Sequence, residues 1–170
     1  MNLRKAALPP AVRPDTRVLV LGSLPGEASL AAGRYYAHPR NQFWALIGAV
    51  IGMETLPALP YEARLDHLLE AGIGLWDTIA SAQRSGSLDS AIRAPEAAPL
   101  AELATALPSL RAMAFNGAKS ARTGRAALAG TGLADTGLAL IDLPSSSPAH
   151  AARSLAEKRE HWLRLQHFLG

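Results

Sequence analysis

Arg17-Val18-Leu19-Val20-Leu21-Gly22-Ser23-Leu24-Pro25-Gly26 decides the fold of this chain. An apolar run leads into a Gly/Pro turn, the pattern of a buried strand that stops at a loop. The pattern recurs along the chain. Ile73–Trp76 ends at Asp77-Thr78, Arg111–Phe115 ends at Asn116-Gly117, and Leu138–Leu143 ends at Pro144-Ser145-Ser146-Ser147-Pro148. Helical apolar spacing fills the intervals. It covers Gln42–Ile51 through Phe43, Trp44, Ile47 and Val50, and Tyr61–Glu70 with Leu65, Leu68 and Leu69 inward and Gly72 as the stop. It returns in Pro99–Leu107, in Ala118–Ala129, and in Ala152–Phe168 with Leu155, Trp162, Leu165 and Phe168 on one side. Strands alternating with helices predict an α/β fold: a single-domain three-layer α/β/α arrangement with a mostly parallel four-stranded sheet. Asp77-Thr78 is expected to open a turn or helix, with Asp77 as its cap. Ser85–Pro95 lacks periodicity and is expected to be loop. Residues 1–16 are expected to form an N-terminal arm and 17–170 the functional domain.

Composition narrows the chemistry. The 170 residues contain no cysteine, which removes disulfides, thiolate metal sites and Cys nucleophiles together. No run of about 20 apolar residues spans a membrane. The N-terminus is too proline-broken for a signal peptide, so a cytoplasmic protein is expected; a monomer is expected as well. The formal net charge of +3 permits a polyanionic partner without demanding one. No Walker or dinucleotide glycine pattern is present.

In a parallel sheet the loops after the strands share one edge, where ligands bind. The unusual polar residues of this chain fall there. Tyr35-Tyr36-Ala37-His38-Pro39-Arg40-Asn41-Gln42-Phe43-Trp44 adds aromatics, a His, an Arg and a carboxamide within ten residues. Flat rings, a cation and a carboxamide at a strand end suit a pocket for an extruded nucleobase. Each residue also has a plainer role. Asn41 is placed to cap the Gln42–Ile51 helix, Asn116 to make an Asx turn, and Phe43 and Trp44 to pack in the core. His161 and His167 read as surface residues.

The segments GSLPG (22–26), YYAHPRNQFW (35–44), GLWDTIASAQRSGSLDSAI (74–92), FNG (115–117) and LPSSSPAH (143–150) resemble the uracil-DNA glycosylase superfamily. More narrowly they resemble its hypoxanthine-DNA (deoxyinosine) glycosylase branch, with the mismatch-specific uracil-DNA glycosylases as near relatives. The resemblance implies a monofunctional DNA glycosylase of base excision repair. Its substrate would be double-stranded DNA carrying a deaminated base, foremost hypoxanthine, with single-stranded DNA a second form. No metal and no cofactor are implied. Alternatives are removal of uracil from G·U mismatches and a catalytically idle lesion-binding module. The last is motivated by Leu24, which stands where other branches carry a polar, water-orienting residue.

The resemblance assigns catalysis to Asn41; Asp77, the carboxylate placed at the sheet edge near the site, is the alternative general base. It assigns base binding to Gly22, Ser23, Leu24, Tyr36 and Asn116. DNA contact falls to His38, Arg40, Ser145, Ser146, Ser147 and His150. The large apolar wedge that the superfamily carries after its Ser-Pro is replaced here by Ala149 and His150.

Overall fold

The computed structural model describes residues 4–6, 8–84, 92–148 and 152–170. Its centre is a four-stranded parallel sheet built from β2 (Val18–Gly22), β3 (Ile73–Asp77), β6 (Ala112–Asn116) and β7 (Ala139–Leu143). The order across the sheet is β3-β2-β6-β7, so the chain winds one way from β2 and then returns to its other side. The crevice outside the ends of β2 and β6 is therefore the switch point where open α/β sheets bind ligands. Register brings the strand ends level: Gly22 pairs with Asp77, and Asn116 with Leu143.

Period-two alternation assigns each strand residue to one of two cores. Val18, Val20, Ala112 and Ala114 face one layer, with α2 (Phe43–Val50), α3 (Tyr61–Ala71) and α6 (Leu155–Trp162) supplying Phe43, Ile47, Leu68 and Trp162. Leu19, Leu21, Met113 and Phe115 face the other, against Leu100 and Ala104 of α4 (Leu100–Thr105) and Ala121 and Leu128 of α5 (Ala118–Leu128). This is the expected three-layer arrangement. At Gly124 of α5 an added Cβ would collide with Cε1 of Phe115, whose ring is fully buried. Gly124→Ala is expected to lower the Tm by several degrees. Overpacking costs about 1–3 kcal/mol against roughly 1 kcal/mol of gained helix propensity. Thermal unfolding followed by far-UV circular dichroism measures it.

Several boundaries depart from expectation. Asp77-Thr78 opens no helix. Asp77 ends β3, Thr78 and Ile79 donate to the carbonyls of Gly22 and Ser23 at 2.8 and 3.0 Å, and the chain continues as β4 (Ile79–Arg84). Asp77 is therefore not a helix cap. The stretch expected to be loop ends inside a strand, since Ile92–Ala97 forms β5, antiparallel to β4; residues 85–91 lie outside the described residues. β5 is an edge strand with a shifted register, a place where Pro95 costs little. Within the segment expected to be an arm, β1 (Arg4–Ala6) pairs with the opposite side of β4, and Ala11 bridges Leu75. A short helix, α1 (Glu27–Ala32), also forms directly after the first loop. The last helix is shorter than its apolar spacing suggests. Ser154 and Glu157 form a capping box, α6 ends at Trp162, and a 3-10 turn carries Leu163–Phe168. Trp162 and Leu165 are buried, but Leu155 is 44% exposed.

Candidate active site

The loop between α1 and α2 carries Tyr36, His38, Arg40 and Asn41, and several bonds fasten it. Tyr35 is buried; its amide donates to the Tyr61 hydroxyl at 3.1 Å and its own hydroxyl donates to the Pro9 carbonyl at 2.8 Å. Ala37 N–H reaches the buried Ser29 Oγ at 3.0 Å, and Trp44 Nε1 donates to the Tyr36 carbonyl at 3.2 Å. Held this way, Tyr36 adopts φ 53°, the one positive φ outside glycine among the described residues. A left-handed non-glycine residue costs about 1–2 kcal/mol, and such strain concentrates at functional sites. The half-buried Tyr36 ring lies parallel on Phe43, with centroids 3.9 Å apart.

Burial pushes the Tyr35 phenol far above its ordinary value of 10.0, and the nearby Asp77 carboxylate adds to the effect. A raised folded-state pKa means that this contribution to stability is complete below the unfolded value and is lost as pH rises past it. Unfolding monitored above pH 10 is expected to show Tyr35→Phe losing less stability with pH than the parent. At neutral pH the same variant is expected to be about 1 kcal/mol weaker through its lost hydroxyl bonds.

At the carboxyl edge three loops are tied through one serine. Ser146 N–H donates to Asn116 Oδ1 at 2.9 Å, and Asn116 Nδ2 donates to Ser146 Oγ at 2.9 Å. Ser146 Oγ in turn donates to Asn41 Oδ1 at 2.8 Å, and the Ser146 carbonyl accepts from Gln42 N–H at 2.9 Å. The second Nδ2 hydrogen of Asn116 points to the Tyr36 hydroxyl at 3.3 Å. Asn41 Oδ1 also accepts from Phe43 N–H at 2.9 Å. A backbone N–H can only donate, so the bonds from Phe43 and Ser146 fix which end of each carboxamide is oxygen. Asn41 has spent both oxygen lone pairs inside the protein. Its amino group is what remains to meet a ligand.

The other candidates fall around this relay. Gly22, Ser23 and Leu24 are buried at the end of β2, as is Asp77 at the end of β3. A Cβ built on Gly22 would lie 2.7 Å from Asp77 Oδ1 and 3.3 Å from the Tyr36 hydroxyl, so only glycine lets the carboxylate and the phenol approach this backbone. Asp77 thus faces the crevice floor from the neighbouring strand. His38 and Arg40 lie on the same loop, both exposed, with the Arg40 amide donating to His38 Nδ1 at 3.1 Å. Ser145 and Ser147 are half-buried at the rim. Ser146, expected to touch phosphate, is instead 1% exposed, and its hydroxyl is turned inward between two asparagines. Ala149 and His150 lie outside the described residues.

Two participants were not anticipated. Lys158 of α6 is buried and donates to Gln42 Oε1 at 2.8 Å, bracing the residue next to Asn41. Burial holds its ammonium below its ordinary value. Ser29 braces the loop from α1. The Lys158 contact spans 116 positions and leaves no periodic signal in the sequence. Among the described residues no group of three or more His, Asp or Glu is arranged to hold a metal ion, and no helix is long and apolar enough to cross a membrane.

The arrangement is thus a crevice at a sheet switch point, floored by buried backbone and lined by an aromatic ring and two oriented carboxamides. Comparison with known proteins gives it a family. The model of the Uracil DNA glycosylase superfamily matches residues 9–167. The chain belongs to that superfamily. Relatives named hypoxanthine DNA glycosylase, from Methanosarcina barkeri and Methanosarcina acetivorans, are each 40% identical. The first match spans 69% of this chain and 74% of the relative; the second spans 68% and 73%. A solution NMR structure from Methanosarcina acetivorans, described as a candidate uracil DNA glycosylase, superposes with a TM-score of 0.83 at 34% identity. That likeness covers 98% of this chain and 99% of the other. As a superfamily member the protein is a DNA glycosylase: DNA is its substrate, and it hydrolyses the N-glycosidic bond of a deaminated base. The alternative of a catalytically idle lesion-binding module gives way to an enzyme.

Proposed function

We propose that this glycosylase excises hypoxanthine from double-stranded DNA, acting as a cytoplasmic monomer with no metal or cofactor. The observation that carries the reading is the relay from Asn116 through Ser146 to Asn41, which orients two carboxamides beside Tyr36 at the switch-point crevice. The names of the two Methanosarcina relatives support the choice of base. Extrusion brings the base to the crevice, and a mispaired base costs less to unstack. The Tyr36 ring stacks on it, while backbone of Gly22–Leu24 lines its edge.

Bond cleavage is largely dissociative in this reading. The glycosidic electron pair leaves with the base, and positive charge develops at the sugar. Asn41 then positions the water by donating from Nδ2 to its oxygen, leaving the lone pair for C1′. A carboxamide cannot take the water proton, so Asn41 is an orienting and electrostatic group, not a strong base. Its oxygen is held by Ser146 Oγ–H and Phe43 N–H, and donation into that oxygen polarises Nδ2–H further. The water proton goes to the departed base anion or, in the alternative reading, to Asp77. Asn116 has both amino hydrogens committed, so a base that pairs with it uses the second lone pair of Oδ1, or displaces Tyr36 or Ser146.

The test is a panel of duplexes containing hypoxanthine, uracil opposite guanine, xanthine or only normal bases, treated with enzyme and then alkali. Hypoxanthine DNA is expected to yield strand breaks only after alkali, with no added metal and no effect of chelator. Uracil is the substrate to watch, given the description of the NMR relative. Release of uracil but not hypoxanthine would overturn the proposed base preference, and a metal requirement would overturn the mechanism.

A further inference from the structure

A second charged feature adjoins the crevice and takes no part in the chemistry above. A cavity of about 580 Å³ opens between α5 and α6, beside the outer edge of β7. Four arginines line it: Arg122 and Arg125 from α5, Arg164 just after α6, and Arg153 before that helix. The one carboxylate in its lining is Asp142, leaving three positive charges, as many as the formal excess of the entire chain. The surplus of this protein is therefore concentrated in one place.

The four arginines divide by task. Arg125 is ion-paired to Asp142 at 3.0 Å, and Arg164 donates to the Asp142 carbonyl at 2.9 Å. Both cover the open backbone of an edge strand, a common protection against stray pairing. Arg122 and Arg153 serve no such purpose. Arg122 is exposed and has no side-chain hydrogen bond or ion pair to any described residue. Arg153 Nη1 lies 2.9 Å from His161 Nε2, which neutralises no charge. The cavity also includes Gly117 and Ser145, the residues that directly follow Asn116 and Pro144 at the crevice rim. The basic surface is thus continuous with the crevice and runs sideways from it.

We infer that this arginine cleft is an additional DNA contact, in which Arg122 and Arg153 grip phosphodiesters flanking the extruded nucleotide. The inference rests on the glycosylase reading for its choice of polyanion. Guanidinium groups suit phosphate because their forked donors engage two oxygens at once. The contact carries no base information, so it serves affinity and register and leaves selectivity to the crevice.

The experiment compares the parent with Arg122→Ala/Arg153→Ala, using fluorescence anisotropy on duplexes with and without hypoxanthine over a range of salt. Loss of two phosphate contacts is expected to make the slope of log affinity against log salt shallower by about two, equally for both duplexes. Single-turnover base release at saturating enzyme is expected to stay within about twofold of the parent. An unchanged slope overturns the inference, as does a fall in saturated rate with the slope intact, which would mark a structural role. Inorganic phosphate is titrated in parallel. If the double variant loses phosphate binding while its DNA slope stays unchanged, the cleft holds a small anion and the inference is again overturned. Binding to undamaged duplex reads the cleft even if no deaminated base is cleaved, so failure of the catalytic reading is seen separately.

Discussion

Asn41→Ala is expected to lower the single-turnover rate of base release by about one to four orders of magnitude, the span for losing one positioned catalytic group. Binding to lesion-containing DNA is expected to stay largely intact, because phosphate contacts and the Tyr36 ring remain. The separation matters, since Asn41 also has a structural duty: its Oδ1 accepts from Phe43 N–H at the start of α2. Losing that bond costs roughly 0.5–2 kcal/mol, too little to unfold a domain whose stability is about 5–15 kcal/mol. A melting curve taken with the kinetics distinguishes the two losses. Asn41→Asp sharpens the test, because it keeps the accepting oxygen for Phe43 but removes the amino group. It is expected to be as slow as the alanine variant and more stable. If Asn41→Ala retains near-full activity while Asp77→Asn abolishes it, the buried carboxylate beside Gly22 activates the water and Asn41 only caps.

Ser146→Ala is expected to have the second-largest effect, a fall in saturated rate of roughly tenfold to a thousandfold. The variant removes the hydroxyl that donates to Asn41 and accepts from Asn116, so both carboxamides lose a partner. Ser146 is a positioning residue, and a merely structural one would lower stability while leaving selectivity alone. Here the preference for one deaminated base over another is expected to narrow as well, because Asn116 is released from one side. Ser146→Thr keeps the hydroxyl and is expected to recover most of the rate. Combined with Asn41→Ala, the serine substitution is expected to add little further rate loss, as groups acting as a unit are not additive. Additive losses would mean that Ser146 does not act through Asn41. The stability cost of leaving buried polar groups short of partners is about 1–3 kcal/mol.

The sequence by itself determined the four parallel strands and the places where they stop. Val18–Leu21 and Ala112–Phe115 carry their apolar residues on both faces, and a strand buried that way needs a layer on each side. It determined the family as well, because YYAHPRNQFW is a contiguous motif. Tertiary structure alone decided the rest. β5 and β1 have no apolar alternation of their own and exist as strands because β4 offers them backbone partners. Asp77 reads as a helix cap because Asp-Thr after a strand often is one, but the carbonyls of Gly22 and Ser23 draw Thr78 and Ile79 into a sheet corner instead. The inward turn of Ser146 rests on partners 30 and 105 positions away, and a triplet of serines gives no sign which of them is buried. The arginine cleft has the same origin. Its members are scattered from 122 to 164 and read singly as solvated charges; only the packing of α5 and α6 on either side of the β7 edge places them around one cavity. Local hydrophobic pattern is written into neighbouring residues, whereas the partner of a buried polar group is chosen by chain segments that meet only after the core has closed.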